Sequence, residues 1–381
     1  MATYSIVIPT VDREREFKAT LSTVLAEDFQ DLEVLIQSNG TEWDIESYLE
    51  EIGDPRLRFQ RTDRRVLMHE NWRYGIDSCT GRYISVLGDD DGWYAGSLAK
   101  VSKLFMDNPN CDAITWRRDN YGWPEAVPCI RNRFIFSADA RVDWIDSEET
   151  LRRILNGELG HEHIPKIYSS FFHRRVLDRF EKEFKTYFLD PANPDLSTGL
   201  GALSLNCRIM RSELPLSVIG TSASSNGATG ARVGSLIPEI APERELSDLW
   251  ALMVNAPLGI LNCYLRVRRL LDLSSYNVAF DQWLKDYVLH LECDHRITAE
   301  KIISKSFVRL ISPSTLSEIR AINLRNQEIP SPLQVRPSAE EVVLYKNGRL
   351  KGNLYLEKLD MESIDKIISW HLKFRSLLGF S

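Results

Sequence analysis

No Cys-x-x-Cys pair occurs in this chain. Its cysteines (Cys79, Cys111, Cys129, Cys207, Cys263 and Cys293) are scattered, which excludes a paired-cysteine zinc site and fits a reduced compartment. No apolar run approaches the roughly 18 residues needed to cross a bilayer. Positive charge is not in excess: 47 basic against 54 acidic residues give −7, which argues against nucleic acid as the main partner. Internal repeats and low-complexity tracts are missing. No glycine falls in Val11-Asp-Arg-Glu-Arg15, so the Gly-rich phosphate loop that a sugar-nucleotide nucleotidyltransferase needs after its first strand is not there. The chain runs straight into an apolar stretch at Tyr4, leaving no room for a signal peptide, and the expected location is cytoplasmic.

What is present is a soluble, globular composition, 43% hydrophobic and 27% charged over 381 residues. That length predicts two or three domains. The most informative stretch is Tyr83-Ile-Ser-Val-Leu-Gly-Asp-Asp-Asp-Gly-Trp93. A β-prone apolar run ends in Asp89, Asp90 and Asp91, bracketed by Gly88 and Gly92. Adjacent carboxylates repel unless something positive sits among them, and Mg²⁺ or Mn²⁺ with oxygen ligands is the natural partner. An acidic surface turn is the plainer alternative.

Tyr4–Ile8, Leu32–Ile36, Arg56–Phe59, Tyr83–Leu87, Asp112–Trp116 and Leu216–Ile219 read as strands. Helical patterns fall between them, at Phe17–Leu25, Ile45–Ile52, Asn71–Cys79 and Ser97–Met106. This alternation predicts an α/β fold with a mostly parallel, doubly wound sheet. Arg117 to Asp143 reads as irregular. Asp146 with Glu149 predicts a capped helix. Further helices are expected at Arg174–Phe184 and Ser197–Arg208, with a flexible loop over Gly220–Gly234. From Pro242 helices dominate, apart from a β-like piece at Val342–Tyr355 turning at Asn347-Gly348 and a last helix at Met361–Leu378.

Ser5-Ile-Val-Ile-Pro-Thr10, Leu32-Glu-Val-Leu-Ile-Gln-Ser-Asn-Gly-Thr41, and Tyr74-Gly-Ile-Asp-Ser-Cys-Thr-Gly-Arg-Tyr-Ile84 followed by Gly88-Asp-Asp-Asp91 resemble, in order and spacing, a family 2 glycosyltransferase with the GT-A fold. The resemblance covers roughly the first 120 residues and extends less firmly to about residue 235. It implies transfer of a sugar, hexosyl or N-acetylhexosaminyl, from a nucleoside diphosphate sugar, usually UDP-linked, to an acceptor hydroxyl with inversion. It places the nucleotide-sugar half at residues 1–115, the acceptor half at 116–240 and a mainly helical region at 241–381. Pro9 and Thr10 then touch base and ribose. Ser38 and Asn39 occupy the turn where many members carry an Asp for uracil. Asp89 faces the ribose side and Asp90 holds the metal, with Asp91 a further ligand or support; with three acids in a row the division of labour is open, and Asp89 is also a metal candidate. Arg65 and Asn71 join the donor site. The acceptor is expected to be a glycan or lipid-linked glycan in cell-surface polysaccharide synthesis.

Physical chemistry points the same way. Cleaving a sugar–phosphate bond leaves negative charge on a diphosphate, which a metal or basic side chains neutralise. Arg61, Arg64, Arg65 and Arg73 precede the acid cluster and are candidates, with solvated surface the ordinary alternative. Inversion needs a carboxylate base. Asp195, ahead of Ser197-Thr-Gly-Leu-Gly201, fits best and Asp190 is second; a helix N-cap is the plain alternative for Asp195. His161-Glu-His163 suits an acceptor contact, a metal ligand pair or ordinary structure. Ser222–Gly230 reads as a lid or a connector. Trp93, Tyr94, Trp116, Tyr121 and Trp123 are stacking candidates, though single aromatics belong more often to a core. Ile364, Ile367, Ile368, Leu372 and Leu378 share one face of a basic amphipathic helix. Two uses fit such a face: packing on the protein, or resting on the inner face of a membrane. A non-catalytic scaffold is the alternative to an enzyme.

Overall fold

In the computed structural model the described residues are 2–126, 130–225, 256–289, 299, 303–304, 311–325, 342–346, 349–355 and 363–377. The first half of the fold is a parallel sheet. Strands β1 (Tyr4–Thr10), β2 (Leu32–Ser38), β3 (Leu57–Arg61) and β4 (Tyr83–Val86) lie in the order β4-β1-β2-β3, all parallel. Every residue of β1 and β2 is buried. Their near-continuous apolar runs are what a sheet covered on both faces requires.

Helix α1 (Glu14–Leu25) turns Phe17, Leu21 and Val24 onto the sheet at helical spacing. Helix α2 (Ile45–Ile52) starts at Asp44, whose side chain accepts from Ser47 N at 3.1 Å, and ends at Gly53 with φ 64°. Helix α3 spans Met68–Ser78. The expected α/β arrangement of strands alternating with helices is therefore present through β4.

Past Asp91 the sheet becomes mixed. Strands β5 (Gly92–Trp93), β6 (Ala113–Gly122), β7 (Arg133–Ala138), β8 (Val142–Ile145), β9 (Ser170–His173) and β10 (Ile209–Thr221) extend it beyond β4. Strand β9 lies antiparallel between β4 and β6. Strand β10 runs parallel to β6, with a break in register between Ser212 and Ser217 that admits β5 alongside Ser217 and Val218. The segment expected to be irregular, Arg117 to Asp143, instead contains the end of β6, all of β7 and the start of β8. Its order comes from pairings distant in sequence, chiefly β7 against β12 (Arg349–Tyr355). Strand β12 itself pairs antiparallel with β11 (Val342–Lys346); the turn expected at Asn347-Gly348 lies outside the described residues.

Helix α4 spans Ser97–Asp107, α5 spans Ser147–Leu155 and α6 spans Arg174–Phe184; α5 is capped as expected, with Asp146 accepting from Glu149 N at 3.0 Å. Helices Ala256–Leu270, Phe280–Leu289, Pro313–Arg325 and Ile364–Leu377 supply the helical C-terminal region. The last of these docks on α1 and β5. Ile364, Ile367 and Ile368 join the core cluster that includes Phe17, Trp93 and Tyr94. The apolar face that had two possible uses is thus spent on packing; Leu378 lies outside the described residues. Trp93, Tyr94, Trp116, Tyr121 and Trp123 are likewise core residues, each at most 2% exposed. Among the described residues no helix is long and apolar enough to cross a membrane.

Candidate active site

The acid run leaves β4 at the carboxyl edge of the parallel sheet, where open α/β sheets collect their ligands. It is built into the protein rather than hung on the surface: Asp89, Asp90 and Asp91 are all buried. Two backbone anchors hold it. Thr20 Oγ1, on α1, donates toward the carbonyls of Asp89 (3.0 Å) and Asp91 (2.6 Å), and Trp123 Nε1 donates to the carbonyl of Asp90 at 2.9 Å.

The three carboxylates diverge. Asp89 Oδ2 accepts from Thr10 Oγ1 at 2.7 Å, and its Oδ1 lies 2.9 Å from Arg13 Nη1. The same guanidinium nitrogen is 3.1 Å from Asp90 Oδ2. That oxygen also accepts from Ser222 Oγ at 2.8 Å and Ser225 Oγ at 2.6 Å. Asp91 turns to the backbone, accepting from Gly220 N at 2.8 Å and Gly88 N at 3.0 Å. Burial, and to a smaller degree the charge of Asp90, pushes the Asp89 carboxyl up to about 6 against the pull of Arg13. Burial followed by Asp90 pushes Asp91 up to about 7.

Two adjoining cavities open on this run. One, of about 230 Å³, is lined by Pro9, Thr10, Val11, Arg13, Asn39, Asn71 and Asp89. The other, of about 340 Å³, is lined by Asp91, His161, Lys166, Tyr168, Asn193 and Asp195. Met68, Trp72, Gly88, Asp90 and Ser225 line both, so Asp90 stands at the junction.

Helix α7 (Pro194–Ser204) delivers Asp195 in its first turn, with Pro194 ahead of it and Asn193 at the N-cap position. Asp195 is therefore not the cap. The helix packs close to the 164–165 backbone: a Cβ at Gly199 would lie 2.3 Å from Ile164 and 2.9 Å from the Pro165 carbonyl. This closeness sets Asp195 beside Lys166 and Tyr168.

Residues 5–176 match the sequence model of the family described as glycosyl transferase family 2. That stretch is similar to glycosyl transferase family 2. A curated relative, a GalNAc(5)-diNAcBac-PP-undecaprenol beta-1,3-glucosyltransferase of Campylobacter jejuni, is 24% identical over 104 residues, 26% of this chain and 34% of the relative. The chain thus matches about a third of that relative's length. Among solved structures, S. aureus TarS 1-349 in complex with UDP-GlcNAc is 11% identical, with 94% of this chain and 98% of that chain covered and a TM-score of 0.48. The mannosyltransferase PcManGT from Pyrobaculum calidifontis in complex with GDP-Man and Mn2+ is 14% identical, with 86% and 88% covered and a TM-score of 0.42.

The residues singled out from sequence separate into two groups. Pro9, Thr10, Asn39, Asn71 and Asp89 line one cavity, Asp91 and Asp195 the other, and Asp90 both. Asn39 bridges to Val66 through N–H and C=O at 2.8 and 2.9 Å, fixing the loop that ends β2. Ser38 lies outside both cavities, its carbonyl accepting from Thr62 N at 3.0 Å. Arg65 pairs with Asp12 at 3.3 Å on the surface, and Arg73 with Glu181 at 3.0 Å. Neither lines either of these two cavities, nor do Arg61 and Arg64. Asp190 is fully buried and bonded to Asn193 Nδ2 at 2.9 Å and Ala192 N at 3.3 Å, a brace for the turn into α7. Of His161 and His163, both on a 3₁₀ turn, only His161 lines one of the two cavities. Of the anticipated lid, Ser222 and Ser225 bond Asp90; residues 226–230 lie outside the described residues.

Arg13, Lys166, Tyr168 and Arg118 were not singled out in the sequence. For Arg13 a signal existed, a basic residue just after the first strand. Lys166, Tyr168 and Arg118 sit in unpatterned or strand segments without one.

The fit of a divalent cation can be read from the acids. Among the described residues no group of three His, Cys, Asp or Glu side chains converges. Five of the six carboxylate oxygens of the run face a donor, and Asp90 Oδ1 is the one that does not among those residues. This suits a cation held by one protein carboxylate, with phosphates and water completing its shell, the usual manner of Mg²⁺. It does not suit a cage of three carboxylates.

Proposed function

We propose that the chain transfers a sugar, with inversion, from a nucleoside diphosphate sugar to a hydroxyl of a glycan or lipid-linked glycan. The observation that carries this reading is the shared cavity of Asp90 and Asp195, two carboxylates from opposite halves of the fold. The donor nucleotide occupies the cavity of Thr10, Arg13, Asn39 and Asn71, and UDP is the preferred form from the family resemblance. A lipid-linked acceptor agrees with the chemistry printed in the name of the Campylobacter relative, and cell-surface polysaccharide synthesis is the setting proposed.

In this reading Asp195 accepts the proton of the attacking acceptor hydroxyl as that oxygen bonds to the anomeric carbon. The bond from that carbon to the diphosphate oxygen breaks on the opposite face. Arg13, fixed by Asp89 and Asp90, gives the donor cavity one buried positive charge facing the departing diphosphate. Ser222 and Ser225 hold Asp90 in place. Asp90 would hold a Mg²⁺ or Mn²⁺ ion through Oδ1, and such an ion supplies neutralisation of phosphate charge.

A thermal-shift screen of nucleotide sugars with and without Mn²⁺ tests the reading. The wild-type chain gains stability with one of them in a saturable way, and Asp90→Ala loses the Mn²⁺-dependent part. No shift with any nucleotide sugar rejects it.

A further inference from the structure

We infer that the larger of the two cavities holds an anion site built on Lys166, which lines it, and on Arg118, which adjoins that lining across the Tyr168 ring, and that the site seats a phosphate or carboxylate group of the acceptor. The inference rests on the transferase reading for the word acceptor, and on the following for the site. Lys166 lines the cavity yet is only 2% exposed. Its ammonium donates to His161 Nδ1 at 3.0 Å and Tyr168 Oη at 3.4 Å, which leaves one of its three donors over. Arg118 lies against the face of the same Tyr168 ring, 4.5 Å from its centroid, with Lys166 at 5.7 Å. Its Nη1 is buried and has no hydrogen-bond partner among the described residues. Neither cation has a carboxylate within 4.0 Å among those residues, although Asp195, Glu162 and Asp91 face them from farther off.

A buried ammonium and a half-buried guanidinium near one tyrosine, without a bonded counter-ion among the described residues, form a costly arrangement that an anion relieves. His161 does not add charge, since burial and then Lys166 hold its imidazole down at about 3. The same burial, with Arg118 next, pulls the Lys166 ammonium down to about 7. Asp91 does not fill the role, because both its Oδ oxygens are bonded to backbone N–H groups, and Asp90 makes its ion pair with Arg13 and with neither of these cations among the described residues. The donor's diphosphate is the other possible source of an anion. It is placed elsewhere by Thr10, Arg13, Asn39 and Asn71, which line the adjoining cavity and not this one.

Calorimetric titration of the full chain with inorganic phosphate, and separately with acetate, tests the site. Saturable binding of either anion is expected, weakened at least tenfold by Lys166→Met and by Arg118→Met. Neither substitution strips a bonded carboxylate of its partner among the described residues, so no buried charge is left uncompensated, and the two variants check each other. Arg13→Met and saturating UDP are expected to leave anion binding in place. No saturable binding, binding unchanged in both variants, or binding displaced by UDP overturns the inference. Anion binding in a chain that binds no nucleotide sugar rejects the transferase reading instead and keeps the site.

Discussion

The backbone N–H of Gly220 donates to Asp91 Oδ1 at 2.8 Å, so the end of β10 is fastened to the acid run that ends β4. The approach is tight: a Cβ at Gly220 would lie 1.6 Å from the Asp90 carbonyl oxygen and 2.8 Å from Trp123 Nε1. Neither neighbour can yield, because one is backbone and the other is bonded to that same carbonyl. Gly220→Ala is expected to cost about 3 kcal/mol in urea unfolding, the upper part of the range for overpacking, and to abolish nucleotide-sugar binding. A variant within about 0.5 kcal/mol of wild type, the scatter of ordinary surface changes, contradicts this placement.

Arg13 is the only cation within 4.0 Å of the acid run among the described residues. Removing one partner of a buried pair leaves the other uncompensated and typically costs 3–5 kcal/mol. Arg13→Leu is expected to lose about 3 kcal/mol near pH 7.5. The loss shrinks near pH 5.5, where Asp89, pushed up to about 6, has taken a proton. Arg13→Lys recovers part of the stability but not the two-carboxylate contact, since an ammonium is a point charge and not a fork. Equal losses for Leu and Lys at both pH values refute the electrostatic role.

Much of this was open to a reader of the sequence, and the limit falls at pairings between distant segments. Strand β1 and the acid run declare themselves because each is a local pattern of apolar residues ended by small or charged ones. Asn39 and Asn71 were found through their turn and helix. Arg13 was passed over because a single arginine in a polar loop carries no period, and its partners lie 76 and 77 residues on. Lys166 and Arg118 meet at Tyr168 only after β6 and the 161–169 segment are folded side by side. Strand β7 was missed for the same reason: buried Phe134 and Phe136 flank exposed Ile135, but its partner β12 lies near the far end of the chain. The terminal helix was legible as amphipathic; what it packs on was not.

The acid run also sets a pH dependence. Asp91, pushed up to about 7 by burial and by Asp90, keeps its proton in the folded chain where the unfolded chain has lost it, above pH 4. Folding therefore binds protons between about pH 4 and pH 7, and this group's contribution to stability falls as pH rises through that window. Buried histidines such as His161 act in the opposite sense, so the difference between wild type and Asp91→Asn is the readout. Without divalent ions, wild type is expected to lose stability relative to Asp91→Asn from pH 4.5 to pH 7.5. A flat or rising difference contradicts the assignment. Mn²⁺, by favouring the ionised acids, is expected to stabilise wild type more at pH 8 than at pH 5.5.

Asp190 and Asp195 separate a brace from a reacting group. Both were candidates for the base, and only Asp195 lines the cavity with Asp90. Asp190, fully buried, ties Asn193 and Ala192 together, and burial raises its carboxyl above the ordinary range despite the Asn193 bond. Asp190→Ala is expected to lower stability by about 2 kcal/mol, the cost of leaving buried donors unpaired. Asp195→Asn is expected to leave both stability and donor binding near wild type and to lower turnover by roughly 10²-fold or more, the loss typical of a missing general base. Turnover measured at saturating donor, beside a denaturation curve for each variant, keeps the two effects apart. If Asp195→Asn turns over normally, the base is elsewhere; if instead it unfolds as Asp190→Ala does, its carboxylate serves the start of α7 and not the reaction.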